Sequence, residues 1–267
     1  MQIISVGSSS SGNSYIIATE DSIVLLDVGL PAKRIVAALE EIGRSPEDVD
    51  AVLITHEHTD HVKSVRAIGR QCCNASFYAS RGTVDNTKNF EHIDKERINI
   101  VSSGDSFELA GLELGTFSLN HDAAEPLGFT ISENGKKLAV VTDCGAITED
   151  IFESIKDADA LVFEANHDEN MLMYGEYPYH LKVRIKSDHG HLSNECAADA
   201  LASLLSERDE EEPLKIMLAH LSFHNNAPFF ARRTIEDVLA ERGFSKDIDY
   251  TLDIASKDEP TYFGEQE

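Results

Sequence analysis

The feature that most constrains this chain is a cluster of four metal-type donors within the six residues His56, Glu57, His58, Thr59, Asp60 and His61. It follows an apolar run, residues 51–54, that predicts a buried strand ending just before the donors. Ligands of α/β sheets bind at such carboxyl ends. Three imidazoles and a carboxylate exceed what one small ion accepts while it keeps a position open for water, so the cluster predicts two metal ions. The alternative is a solvated polar turn in which the histidines occur together by coincidence.

Length and composition indicate a soluble globular protein. The 267 residues suffice for a sizeable core in one large or two small domains, and 42% of them are hydrophobic. No apolar run is long enough to span a membrane. The amino terminus lacks the layout of a secretion signal, so we expect a cytoplasmic protein with reduced thiols at its four cysteines.

The charge balance is strongly acidic. With 23 Lys and Arg against 48 Asp and Glu, the formal net charge is −25. Such a charge opposes non-specific attraction to phosphate backbones, so a nucleic-acid substrate would have to be bound by a local surface. The densest acidic stretch, residues 207–212, is interpreted as a solvated loop.

The apolar pattern predicts alternating strands and helices within one domain over residues 1–267, with a loose tail at 258–267. Strands are predicted at residues 2–6, 15–18, 23–26, 51–54, 76–79, 106–109, 112–119, 128–132, 138–142, 160–164, 215–219 and 250–254. Helices are predicted at 31–42, 59–71, 81–90, 149–155, 193–205 and 227–242. A polar loop at 7–14 is expected beside the site, and residues 165–191 are expected to be irregular.

Three further donors follow predicted strands. Asp143 and His220 each end an apolar run, and His121 follows the strand at 112–119. A single His or Asp at a strand end is more often a helix cap or an exposed polar side chain than a metal ligand. Together they place metal-type donors at three more strand ends.

The order His56-x-His58-x-Asp60-His61, followed by His121, Asp143 and His220, resembles the metallo-β-lactamase superfamily. Asp27 matches the buried aspartate that precedes the motif in that family. Within the superfamily, the stretches 7–14, 190–195 and 219–222 resemble the WalJ (YycJ) group of bacterial nucleases, and the last two also resemble tRNase Z.

This resemblance implies an α/β fold, a four-layer αββα sandwich without the β-CASP insertion of larger nucleases. It implies two divalent ions, with Zn²⁺ expected first and Mn²⁺ or Fe²⁺ as alternatives. One ion would be held by His56, His58 and His121, and the other by Asp60, His61 and His220, with Asp143 between them. Two such ions can share a hydroxide that acts as the nucleophile.

A departing oxygen also needs an acid. His191 is the candidate because it resembles the non-ligand histidine of tRNase Z, and Glu164 could keep it protonated. His189 is a rival. His191 could instead cap or pack against the following helix.

The stretch 174–186 combines tyrosines with alternating cations. If it is extended, Lys182, Arg184 and Lys186 share one face that could bind phosphates while Tyr177 and Tyr179 stack on bases. The alternative is a solvated edge strand protected by lysine.

These observations favour a dinuclear phosphodiesterase acting on nucleic acid, and the group resemblance implies DNA as the substrate more than RNA. The group resemblance implies a 5′ to 3′ exonuclease. Two alternatives stay open: a hydrolase of a small phosphodiester or ester, and a non-catalytic regulatory scaffold. The intact donor set argues against the scaffold. The oligomeric state is left open.

Overall fold

The computed structural model describes residues 1–209 and 212–264. Its strands are β1 (Gln2–Ser9), β2 (Gly12–Ala18), β3 (Ile23–Leu26), β4 (Ala51–Leu53), β5 (Ser76–Ala79), β6 (Ile98–Ile100), β7 (Ser106–Leu109), β8 (Leu112–Ser118), β9 (Leu127–Glu133), β10 (Lys136–Val141), β11 (Ala160–Glu164), β12 (Leu214–Ala219), β13 (Tyr250–Ile254) and β14 (Thr261–Gly264). Its α-helices are α1 (Ala32–Glu41), α2 (Thr59–Val62), α3 (Val65–Gln71), α4 (Arg81–Asp85), α5 (Glu149–Ile155), α6 (Glu169–Tyr174), α7 (Tyr179–Ile185), α8 (Asn194–Glu207) and α9 (Pro228–Glu241). Short 3₁₀ turns lie at Pro46–Asp48, Lys88–His92 and Lys95–Arg97.

The strands form two mixed seven-stranded sheets. One has the order β14-β1-β2-β3-β4-β5-β6, and the other has the order β13-β12-β11-β10-β9-β8-β7. The described chain divides into two compact units. The first unit comprises residues 1–118, 123–133 and the described residues from 255 onward, and the second comprises 119–122 and the described residues of 134–254.

In the first unit, β3, β4, β5 and β6 run parallel, and β4 is short and fully buried. A strand covered on both faces needs apolar side chains at consecutive positions, which explains the uninterrupted run at 51–54. The main apolar cluster of this unit includes Ile16, Leu25, Ile35, Val52 and Phe77. Burial of these side chains holds β3 and β4 in register, with Leu26 opposite Leu53.

In the second unit, β10, β11, β12 and β13 are parallel. Val141 pairs with Phe163, and Glu164 pairs with Ala219. The register therefore aligns the carboxyl ends of β10, β11 and β12, so the polar residues that follow these strands share one sheet edge.

Several predicted elements differ from the observed ones. The predicted helix at 59–71 is two helices, α2 and α3, and the predicted loop at 7–14 is mostly the hairpin of β1 and β2. The irregular stretch contains α6 and α7. The loose tail is wrong for Thr261–Gly264, because β14 pairs with β1 through main-chain hydrogen bonds.

Residues 265–267 of the predicted tail and residues 210–211 of the predicted acidic loop lie outside the described residues. The single-domain assignment stays a prediction. Among the described residues, no helix combines the length and the apolar composition needed to cross a membrane.

Candidate metal centre

In the first unit, the donors lie in and just before the short helix α2, which packs closely against the main chain that follows β3. His58 precedes α2, and Asp60 and His61 lie within it. The main chain of α2 rests on the end of β3, where the Val28 amide donates to the His61 carbonyl at 2.9 Å. A Cβ atom on Gly29 would lie 1.5 Å from the Asp60 carbonyl oxygen, so only glycine permits this approach.

A buried carboxylate orients two of these histidines. Asp27 Oδ2 lies 2.7 Å from His61 Nδ1, and the Thr55 hydroxyl donates to the same carboxylate at 2.9 Å. Since its single proton is used in that bond, the Thr55 oxygen accepts from His56 Nδ1, 3.0 Å away. The sequence placed Asp27 before the motif but did not identify Thr55.

Asn13 is a residue that the sequence interpretation missed. Its side chain is fully buried, and its Nδ2 lies 3.2 Å from His61 Nε2 and 3.4 Å from Asp60 Oδ2. Its Oδ1 accepts from the Ser8 hydroxyl at 2.8 Å. The polar hairpin therefore lies beside the donors, as predicted. The sequence signal for this contact was the single asparagine in the stretch 7–14.

In the second unit, four predicted site residues come together. Asp143, Glu164, His191 and His220 each offer a ligand atom, and these atoms lie within 4.8 Å of one another. Glu164 Oε1 lies 2.9 Å from His191 Nδ1 and 2.7 Å from His220 Nδ1. Its Oε2 accepts from the main-chain amides of Cys144 and Leu192 at 2.9 and 3.2 Å. The predicted partnership of Glu164 with His191 is present, and its bond to His220 was not foreseen.

His121 is held in the same unit. Its Nδ1 lies 3.0 Å from the Gly190 carbonyl oxygen, and its Nε2 lies 3.7 Å from Asp143 Oδ1. Burial lowers the pKa of His121, and so favours the neutral imidazole that binds metals. The main-chain carbonyl of His189, the rival candidate for the acid, accepts a hydrogen bond from the Asp122 amide at 3.0 Å.

Three residues at these strand ends adopt positive φ angles: Asp27 at 56°, Asp143 at 58° and His220 at 57°. Non-glycine residues rarely adopt this conformation, which costs roughly 1 to 3 kcal/mol each. Such strain is concentrated at functional sites, where the surrounding structure enforces it. Here it turns the chain at the ends of β3, β10 and β12.

The condition under which the three cations would share one face is not met, because residues 179–185 form the helix α7 and are not extended. In a helix, Lys182 and Lys186 share a face, and Arg184 lies on another. Each cation contacts its own unit. Lys182 Nζ donates to the Met173 and Gly175 carbonyls at 2.8 and 2.7 Å, Arg184 pairs with Asp122 at 2.5 and 2.9 Å, and Lys186 lies 3.3 Å from Glu169.

The donors suit divalent metals because of how their rings are oriented. In each of the buried histidines at 56, 61, 121 and 220, a hydrogen-bond acceptor faces Nδ1. The carboxylates and the carbonyl only accept, and the Thr55 hydroxyl accepts from His56 because its proton goes to Asp27, so Nδ1 carries the proton and the Nε2 lone pair is presented. This arrangement is typical of metal-binding histidines and fits the predicted chemistry.

Residues 24–209 match the family model described as the β-lactamase superfamily domain. This chain belongs to the metallo-β-lactamase superfamily. Exodeoxyribonuclease WalJ of Streptococcus pneumoniae serotype 2 is 35% identical over 259 residues, covering 96% of this chain and 94% of that protein. Exodeoxyribonuclease YycJ of Bacillus anthracis is 37% identical over 240 residues, covering 90% and 89%. The crystal structure of YhfI from Bacillus subtilis has a TM-score of 0.71 at 14% identity and covers 98% of each chain.

These comparisons confirm the predicted resemblance and the αββα metallo-β-lactamase fold. Together with the group of His, Asp and Glu donors in the second unit, the similarity to two exodeoxyribonucleases also confirms the prediction of a metal-dependent hydrolase. The assignment of individual residues to each ion, and the roles of His191, Glu164 and the cations, remain predictions.

Proposed function

We propose that this chain is a metal-dependent exodeoxyribonuclease that hydrolyses DNA in the 5′ to 3′ direction. The substrate is supported by two relatives, each named as an exodeoxyribonuclease and each matched over about nine-tenths of its length. The observation that carries the metal dependence is the orientation of the buried imidazoles, each with its Nδ1 at an acceptor. The proposed polarity is supported by the group resemblance alone.

Seven residues would hold two divalent ions. In the proposed assignment His56, His58 and His121 would hold one ion, Asp60, His61 and His220 would hold the other, and Asp143 would contribute to both. Imidazole and carboxylate suit Zn²⁺, Mn²⁺ and Fe²⁺. When bound, two such ions lower the pKa of water to near neutrality and stabilise negative charge on phosphoryl oxygens.

The chain itself supplies the proton for the leaving group. His191 is the proposed acid, and its side chain is 14% exposed, so the ring reaches solvent. Glu164 accepts from Nδ1, which leaves Nε2 as the nitrogen that can face a substrate. A proton on Nε2 would pass to the departing sugar oxygen, the step that a poor leaving group needs.

The decisive experiment combines metal analysis with hydrolysis. We expect two ions per chain in the wild type and release of nucleotides from end-labelled single- or double-stranded DNA. Asp143→Ala should retain less metal and lose DNA hydrolysis. Lys136→Ala is the matched control, because Lys136 is exposed and its partner Asp159 is not one of the proposed metal ligands. This variant should keep two ions per chain and wild-type DNA hydrolysis.

Polarity is tested with oligonucleotides blocked at one end. A 5′ to 3′ enzyme degrades the 3′-blocked strand and spares the 5′-blocked strand. Full activity and two ions in Asp143→Ala would contradict the proposed ligand set. Hydrolysis of bis(p-nitrophenyl) phosphate without hydrolysis of any nucleic acid would favour the small-phosphodiester alternative.

A further inference from the structure

The loop after β12 displays exposed rings on a fixed backbone. The Ser222 amide donates to the Asn166 carbonyl at 2.8 Å, and Asn226 Nδ2 donates to the Ala165 carbonyl at 2.9 Å. Asn226 also forms reciprocal bonds with the buried Asn194 side chain at 3.1 and 2.9 Å. Between these anchors Phe223 is 70% exposed. A ring held in this way adds little to the core but loses little entropy when it binds a partner.

Three rings from two segments of the chain lie side by side, with His224 next to both of the others. The His224 ring is 5.2 Å from that of Phe223 and 5.7 Å from that of Tyr177. Tyr177 belongs to the connection between α6 and α7, which Lys182 ties down through the Met173 and Gly175 carbonyls. We call Tyr177, Phe223 and His224 the aromatic row.

The row lies next to the proposed metal centre along the chain. Phe223 is three residues from His220, so their Cα atoms are at most about 11 Å apart. His220 contacts Glu164, which contacts His191. A base resting on the row would therefore be close to the phosphodiester that those residues act on.

Charge alone is a weak source of affinity here. The formal net charge is −25, and the three cations of residues 179–186 already contact carbonyls or carboxylates of their own unit. Stacking of a base on an aromatic ring needs no positive charge and contributes about 1 to 3 kcal/mol per base. An acidic nuclease can therefore bind a strand through its bases.

We propose that the aromatic row stacks on unpaired bases of single-stranded DNA and so positions the strand end for hydrolysis. This inference rests on the proposed function and adds a substrate class to it, an unpaired strand. Stacking tolerates any base, which suits an exonuclease that moves along a sequence.

The test is binding of a phosphorothioate oligonucleotide with 2-aminopurine at its 5′ terminal position, read by fluorescence anisotropy and by quenching of the base on stacking. Phe223→Leu keeps an apolar side chain but removes the π face. We expect this variant to bind about 5- to 150-fold more weakly, the range for one lost stacking contact, and to quench less. Phe223→Trp should bind and quench at least as well as the wild type.

Ile248→Ala is the matched control. Ile248 is also 70% exposed, but it precedes β13, at the amino ends of the parallel strands, whereas Phe223 follows a carboxyl end. This variant should bind as the wild type does. Circular dichroism and mass by light scattering accompany each variant.

Equal binding and quenching by Phe223→Leu and the wild type would overturn the inference. A change of oligomeric mass in Phe223→Leu would also overturn it, since the ring would then contact a second copy of the chain. Wild-type hydrolysis of DNA is measured separately. If the wild type hydrolyses DNA and Phe223→Leu binds normally, only the proposed stacking on the aromatic row is contradicted. If the wild type hydrolyses no DNA, the proposed function is contradicted.

Discussion

Glu164 Oε1 lies 2.7 Å from His220 Nδ1, and both side chains are buried. Burial acts to raise the pKa of Glu164, but the charge of His191 and the hydrogen bonds from His191 and His220 outweigh it and lower the pKa to about 2. The carboxylate therefore stays ionised at neutral pH. One buried charge thus orients both a proposed metal ligand and the proposed acid.

Replacing this carboxylate should weaken metal binding. Each carboxylate oxygen of Glu164 accepts two hydrogen bonds. In Glu164→Gln one oxygen becomes an NH₂ group, which cannot accept the two hydrogen bonds at its position. We expect a 10- to 100-fold loss of Zn²⁺ affinity, as for other residues that orient metal ligands, measured by competition with a chromophoric chelator. Glu153→Gln, the same change on the exposed face of α5, should keep wild-type affinity. Unchanged affinity in Glu164→Gln would show that His220 is oriented without it.

His191 should affect chemistry more than metal content. Loss of a general acid lowers turnover by about 10² to 10⁴ when the leaving group is poor. We expect His191→Ala to lose this much on DNA but little on bis(p-nitrophenyl) phosphate, because p-nitrophenolate leaves without protonation. The measurement is turnover on both substrates at matched metal loading. Equal losses on both would indicate a structural role.

The three cations are predicted to contact phosphates in spite of their internal partners. Each phosphate contact adds about 0.7 to 0.9 to the slope of log affinity against log salt. Replacing Lys182, Arg184 and Lys186 together by Gln should therefore weaken oligonucleotide binding and flatten its salt dependence. Lys95→Gln, a change on a 3₁₀ turn of the first unit, is the control. If the triple variant keeps the wild-type slope, the cations serve only the internal contacts observed here.

His167 should make stability depend on pH. The residue is 1% exposed, and burial lowers its pKa from 6.5 to about 4. Between these values the unfolded chain binds a proton that the folded chain does not, so stability is lost as pH falls from about 6.5 to about 4. Urea unfolding in EDTA should show that His167→Gln loses about 2 to 3 kcal/mol less than the wild type between pH 7.5 and pH 4.5. If both proteins lost the same free energy of unfolding over this pH range, protonation of His167 would not destabilise the folded state.

The sequence was sufficient for the donors, because their chemistry is local. Four metal-type residues directly after an apolar run indicate an ion and a strand end without any tertiary information. His121, Asp143 and His220 were found by the same rule, although the rule alone left them ambiguous. The order of all seven then identified the family, which the comparisons confirm.

Other features depend on contacts between distant parts of the chain. Asn13 reaches His61 over 48 positions, and Glu164 reaches His220 over 56, so no local pattern predicts either contact. Tertiary packing also decided that residues 179–185 are helical and that the cations face their own unit, since tyrosines and alternating charges are compatible with a strand or a helix. The sequence by itself determined which side chains could bind metal, since ligand chemistry belongs to residue type. Only the tertiary structure decided which nitrogen is presented at His61, His121 and His220, because the partner at Nδ1 comes from a distant part of the chain.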